Sequence, residues 1–253
     1  MSERAGAVGT VDSAYDDELS EVYDLVYRGR GKDFATEAAA VARVVRERLP
    51  AAASLLDVAC GTGEHLVHLR EEFAEVAGLE LSPGMLAAAE RKLPGVDLHL
   101  GDMRRFRLGR SFDAVCCLFS SIGYMASAAE LDAAVARMAD HLRPGGVLVI
   151  DPWWFPERFL DGYVSDAVVR DGDRTVARIA QSVRVGDAVR QEAHYVVADR
   201  AGVRHFVNVQ WVTLFARAEY LAAIDRAGCD GEYLDGDDPR ALSGRGLFVG
   251  VRR

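Results

Sequence analysis

The stretch Ser54-Leu55-Leu56-Asp57-Val58-Ala59-Cys60-Gly61-Thr62-Gly63 constrains the fold more than any other part of the chain. Apolar residues run into an acid, and two glycines then open a helical pattern near Glu64. Such a segment is a strand whose C-terminal turn lets a ligand approach bare backbone. Gly61 and Gly63 carry no Cβ atom to block that approach.

The rest of the chain repeats the strand–helix rhythm. Apolar residues recur at helical spacing from Asp33 to Arg48, and Pro50 ends the run. After the strand at Ser54–Val58 comes a helix near Glu64–Glu72, then a second strand at Glu75–Leu81. Ser82-Pro83 starts the next helix, with Ser82 as N-cap, and Pro94-Gly95 stops it. Val96–Leu100 and Phe112–Leu118 read as the third and fourth strands. A helix over Glu130–His141 is closed by Arg143-Pro144-Gly145-Gly146, and Val147–Ile150 is the fifth strand. This alternation predicts an α/β fold with a doubly wound, mostly parallel Rossmann-like sheet.

The pattern breaks after Asp151. Between Arg174 and Thr213 the chain alternates with period two, which predicts three or four inserted antiparallel strands. Helical spacing returns from Arg217 to Ala227, and Glu232–Leu234 with Gly246–Val251 can pair as the sheet's antiparallel end. The expected division is an N-terminal lid segment (1–32), a ligand-binding α/β domain (33–151), an inserted β region for substrate and dimerisation (152–213), and a return to the first sheet (214–253).

Composition narrows the partners. The net charge of −9 argues against nucleic acid and against an anionic membrane surface. No run is apolar enough to span a bilayer, and nothing resembles a secretory leader. The four cysteines (Cys60, Cys116, Cys117, Cys229) lack metal spacing and read as reduced, buried thiols of a cytoplasmic protein. His65 and His68 stand one helical turn apart but lack a third ligand, so no metal is expected.

Glu80 closes the second strand, about 20 residues past the glycine turn, where an acid can accept from the two hydroxyls of an adenosine ribose. Asp102 and Met103 follow the third strand, where an adenine would lie. Asp102 can accept from its amine, and Met103 can pack on its face. With Asp57, Gly61 and Gly63 they line one edge of the sheet, where open α/β sheets bind ligands.

Here the chain resembles the class I S-adenosylmethionine-dependent methyltransferases. The resemblance rests on Leu55–Gly63, on Gly78-Leu79-Glu80-Leu81-Ser82 followed by Met85, on Gly101-Asp102-Met103 and on Leu142-Arg143-Pro144-Gly145-Gly146. Ala59 stands where the first glycine of the usual turn would be. A narrower likeness covers Val22-Tyr23-Asp24-Leu25, Arg30-Gly31-Lys32-Asp33, Phe119–Tyr124, Pro152-Trp153-Trp154-Phe155-Pro156 and Ser243–Phe248. These blocks resemble the nucleotide-amino-sugar N-methyltransferases that make dimethylamino sugars of macrolide antibiotics. The resemblance implies S-adenosylmethionine as donor and the amine of a TDP-linked amino-deoxyhexose as acceptor, methylated twice; the edges of the inserted sheet, which need covering, point to a homodimer. It also implies donor contacts at Tyr23, Ala59, Leu81, Met85 and Leu118. Asp151 and Gln181 depart from the common Glu and His on the expected substrate side, which leaves the sugar open.

Methyl transfer to a neutral amine needs orientation and exclusion of water more than a strong base. Tyr15 and Tyr124 are the candidates for holding the amine. Arg178, Ser182 and Arg184 share strand parity with Arg174, and such a face could meet a diphosphate, since guanidinium matches phosphate oxygens. Arg245, between two glycines, is the stronger phosphate candidate. Arg30 and Lys32 can hold either the methionine carboxylate or a phosphate, while Trp153, Trp154 and Phe155 can wall off the sugar or stack on thymine. The competing readings are a methyltransferase for another small acceptor, a non-catalytic cofactor-binding protein, and a nicotinamide dehydrogenase.

Overall fold

The computed structural model describes residues 17–253. The chain forms α1 (Asp17–Gly29), α2 (Phe34–Arg48), β1 (Ser54–Val58), α3 (Glu64–Glu72), β2 (Glu75–Glu80), α4 (Pro83–Lys92), β3 (Asp97–Leu100) and β4 (Phe112–Cys117). There follow α5 (Ala128–Asp140), β5 (Leu142–Ile150), β6 (Tyr163–Asp171), β7 (Arg174–Val185), β8 (Ala188–Asp199), β9 (Gly202–Thr213), α6 (Arg217–Arg226), β10 (Cys229–Leu234) and β11 (Leu247–Arg252).

The main sheet has seven strands in the order β10-β11-β5-β4-β1-β2-β3. β1 pairs in parallel with both β2 and β4, and β11 runs antiparallel to β5 and β10. Every residue of β1 and β4 is buried, as expected of central strands covered by helices on both faces. The pleat sends Leu55 and Cys116 into the core under α2 and α3, and Leu56 and Cys117 into the core under α5 and α6. The chain moves outward from β1 in opposite directions through β2 and β4. Their carboxyl ends therefore frame a crevice at the point of reversal.

The elements differ from expectation at three places. β5 starts at Leu142, so Arg143-Pro144-Gly145-Gly146 belong to the strand and do not simply close α5. They form a bulge: Phe112 pairs with Leu142 but Ala114 with Val147, and Gly145 takes φ +76. The inserted sheet has four antiparallel strands, β6-β7-β8-β9, and opens at Tyr163, ahead of the expected start. β6 is short of large side chains on its inner face (Ser165, Ala167), which dilutes the alternation. Third, α1 occupies the segment read only as a lid. Leu19, Val22 and Val26 fall on one helical face and pack against Met85 and the inner face of the inserted sheet at Val176, Tyr195 and Phe206.

The inserted sheet buries Arg178, Ala180 and Ser182 on its inner face and turns Ile179, Val183 and Val185 outward. Among the described residues no helix is long and apolar enough to cross a membrane.

Candidate active site

Two adjoining cavities open at the carboxyl ends of β1, β2 and β4. The inner cavity takes its floor from the glycine turn. Ala59, Gly61 and Gly63 all have positive φ, at 61, 57 and 78°. Gly63 also lies against Leu93 and Ala89, where an added Cβ would come within 2.6 Å of Leu93 Cδ1. The Gly61 N–H donates to Glu80 Oε2, and the Leu81 and Ser82 N–H groups donate to Glu80 Oε1, each at 2.8 Å. Burial still pushes the Glu80 carboxyl up, outweighing those three hydrogen bonds.

Asp57 lies deeper, 1% exposed. Its Oδ1 accepts only the weak Cys116 thiol at 3.5 Å, and its Oδ2 has no partner. Burial raises this carboxyl to about 6. A buried acid with an orphaned oxygen on a cavity wall is suited to a cationic ligand. Asp102 is the opposite case. Burial opposes its ionisation, but Arg104 and Arg105 grip it with hydrogen bonds of 2.7–3.1 Å and hold it down to about 2. Tyr23, Asp57, Ala59, Gly61, Glu80, Leu81, Met85, Asp102, Met103, Leu118 and Tyr124 all line the inner cavity.

The outer cavity is larger, about 490 Å³, and is shared between the end of the main sheet and the inner face of the inserted sheet. Arg30, Arg158, Arg178 and Arg245 line it, and among the described residues that do so none is acidic. Arg178 is buried, with Nε donating to the Tyr195 hydroxyl at 3.2 Å and Nη1 to Ser165 Oγ at 3.1 Å. Arg245 donates to the Pro152 carbonyl at 3.0 Å, approaches Asp151 Oδ2 at 3.5 Å and stands over the Trp153 and Trp154 rings. Tyr23, Phe119 and Tyr124 line both cavities and form the seam between them. Phe119 and Ser120 hold positive φ (52 and 64°), strain of the kind that marks functional turns.

Residues 55–146 match the model of a methyltransferase domain. The chain is 58% identical, over 94% of its length and 99% of the relative's, to a dTDP-3-amino-3,4,6-trideoxy-alpha-D-glucopyranose N,N-dimethyltransferase of Streptomyces venezuelae. The chain belongs to the amino-sugar N-methyltransferases. A dTDP-4-amino-2,3,4,6-tetradeoxy-D-glucose N,N-dimethyltransferase of Saccharopolyspora spinosa is 46% identical over the full length of both chains. A SAM-bound amino pentose methyltransferase from Micromonospora echinaspora, involved in calicheamicin biosynthesis, superposes with a TM-score of 0.83. It is 53% identical and covers 92% of this chain and 97% of its own. The chain is thus an S-adenosylmethionine-dependent N-methyltransferase, and S-adenosylmethionine is its cofactor.

In this methyltransferase several sequence expectations move. Arg30 lines the outer cavity and not the inner one. Lys32 lines neither; it pairs with Glu37 at 2.5 Å and stands 3.9 Å from the Phe119 ring centroid, bracing the seam from behind. Phe155 is fully buried among Tyr220, Tyr233 and Phe248 and is core, not cavity wall. Arg184 lines neither cavity, its backbone N–H donating to Asp161 and its guanidinium to the Gly186 and Pro156 carbonyls, and Arg174 lies by Asp199. Gln181 is exposed on the outer face of β7, off the substrate side. Gly63 shapes the turn without lining the cavity. His65 is engaged by Glu37 at 2.8 Å. Ser182, Trp153 and Trp154 do line the outer cavity, and Tyr15 lies outside the described residues. Among the lining residues not foreseen are Arg158, Tyr163, Ser165, Gln191 and Gln210. Only strand register brings the last four to the cavity, and nothing local in the sequence marks them.

Proposed function

We propose that this chain methylates the amine of a TDP-linked 3-amino-deoxyhexose, in two successive rounds, during antibiotic sugar biosynthesis. The observation that carries the reading is the outer cavity. A protein of net charge −9 gathers four guanidiniums and no carboxylate there, against the wall of the donor site. A diphosphate supplies the matching charge, and guanidinium forks match its oxygens. The higher identity to the 3-amino relative (58%) than to the 4-amino relative (46%) supports the amine position.

S-adenosylmethionine, when bound, supplies a methyl group on a sulfonium sulfur. Asp57, Glu80 and Met103 are the residues we assign to hold it, facing its cationic part, its ribose and its adenine. Arg178 and Arg245 hold the diphosphate, with Arg30 and Arg158 at the rim, and Trp153 and Trp154 wall off the sugar. Tyr124 orients the amine at the seam, and Tyr15 is assigned to the same task. These residues position the nitrogen and exclude water, which supplies most of the rate advantage when no strong base is needed. Incubation with TDP-3-amino and TDP-4-amino sugars, read by mass, tests the reading. Mono- and then dimethylated 3-amino product is expected, and no product from any TDP-amino sugar overturns it.

The same reading makes the protein a homodimer formed through the outer face of the inserted sheet. Ile179, Val183, Val196, Val207 and Val209 stand exposed there, interleaved with Arg190, Glu192, His194 and His205. It also makes the protein cytoplasmic, in keeping with four buried free thiols.

A further inference from the structure

At the seam between the cavities, the Tyr124 hydroxyl donates to Gln210 Oε1 at 2.8 Å. Gln210 belongs to the inner face of β9, where register aligns it with Gln191, Ser182 and Tyr163 in one row across the inserted sheet. Gln191 Nε2 donates to Ser182 Oγ at 3.1 Å. The row is uncharged and runs along the outer cavity to Tyr124, apart from the guanidiniums.

A phenol carries one proton and two lone pairs. If that proton were given to an amine nitrogen, it would occupy the lone pair that must attack the methyl carbon. If the phenol oxygen instead accepts an N–H, it fixes the amine's rotation and leaves the lone pair free. We propose that Gln210 is a positioning residue whose carbonyl oxygen accepts the Tyr124 hydroxyl's hydrogen bond, so that the phenol meets the acceptor amine only as a hydrogen-bond acceptor. The inference rests on the amine-acceptor reading above. In each round the nitrogen gains a carbon bond as the methyl–sulfur bond breaks, and it sheds one proton to water. A primary amine and its monomethyl product both retain an N–H for Tyr124, whereas the neutral dimethylamine has none. The contact therefore serves both transfers and is lost in the final product.

The test has two arms. In protein labelled with ¹³C at tyrosine Cζ, the Tyr124 signal is identified by its loss in Tyr124→Phe. Gln210→Leu is expected to shift it, and an unmoved signal overturns the hydrogen bond whatever the acceptor. In kinetics, Gln210→Leu is expected to lower kcat about tenfold with little change in the sugar KM. Gln210→Glu, which keeps the accepting oxygen, is expected to restore most of the loss. In the Tyr124→Phe background Gln210→Leu is expected to have no further effect, because its action runs through the phenol. Donor affinity, measured on each variant, reports that the site remains folded. An equal loss of kcat in both backgrounds overturns the proposal alone; absence of product from the wild type overturns the acceptor reading on which it stands.

Discussion

At the scale of single residues, Asp57 and Glu80 show how burial prepares a site for a cation and a diol. Both carboxyls are pushed up by burial, but Glu80 is held by three backbone N–H groups while Asp57 keeps one oxygen without a partner. The Asp57 carboxyl sits near 6 in the folded protein against 3.8 ordinarily, so its folded form holds the proton more tightly. Stability therefore falls as pH rises from about 4 to about 6. Ionised Asp57 costs the free fold on the order of 3 kcal/mol above that range. A cation beside Oδ2 favours the charged form, so binding below pH ~6 must release a proton. Donor affinity is expected to weaken by up to about tenfold for each pH unit below ~6 and to stay level above it. Asp57→Asn is expected to abolish that slope, lower affinity at neutral pH and raise the Tm of the donor-free protein. Calorimetric titration across pH and thermal melts check all of these.

Among the elements, α1 contributes Tyr23 to the wall of the inner cavity. Asp24 accepts from Thr62 Oγ1 and from Lys92 Nζ, both at 2.5 Å, and Glu64 accepts from Lys92 Nζ at 2.6 Å and from Arg28 Nε at 2.8 Å. This network ties α1 to the glycine turn and to α4, and keeps Tyr23 over the inner cavity. Lys92→Met leaves the Asp24 and Glu64 carboxylates facing each other without their shared cation. It is expected to weaken donor binding roughly tenfold, mainly through faster dissociation, as read by stopped-flow fluorescence. The α/β alternation was legible because β1 and β4 are short, mainly apolar runs, each broken by a single aspartate, and because Ser82-Pro83 marks its helix start chemically. The helix α1 was not, since its order comes from packing Leu19, Val22 and Val26 on strands far along the chain. Glu80 and Asp102 were legible as strand-end acids. Phe155 was misplaced because Pro-Trp-Trp-Phe-Pro has no period that separates a core ring from a cavity ring. Gln210 left no trace, because only register across β7, β8 and β9 brings it to Tyr124.

At the scale of the whole molecule, the two faces of the inserted sheet differ. The inner face completes the outer cavity; the outer face presents Ile179 (60% exposed) opposite His194, which separates it from Val207. Ile179→Glu is expected to give a monomer by analytical ultracentrifugation while the far-UV circular dichroism stays unchanged, because the side chain already faces out of the fold. The proposed reaction places a sugar amine facing the donor's sulfur across Tyr23, Phe119 and Tyr124, where the two cavities meet. A crystal structure with S-adenosylhomocysteine and a TDP-3-amino sugar tests it most directly. The C3 nitrogen is expected at the seam, facing the sulfur, with the diphosphate on Arg178 and Arg245. A sugar hydroxyl or the thymine in that place, or a diphosphate bound away from those arginines, would contradict it.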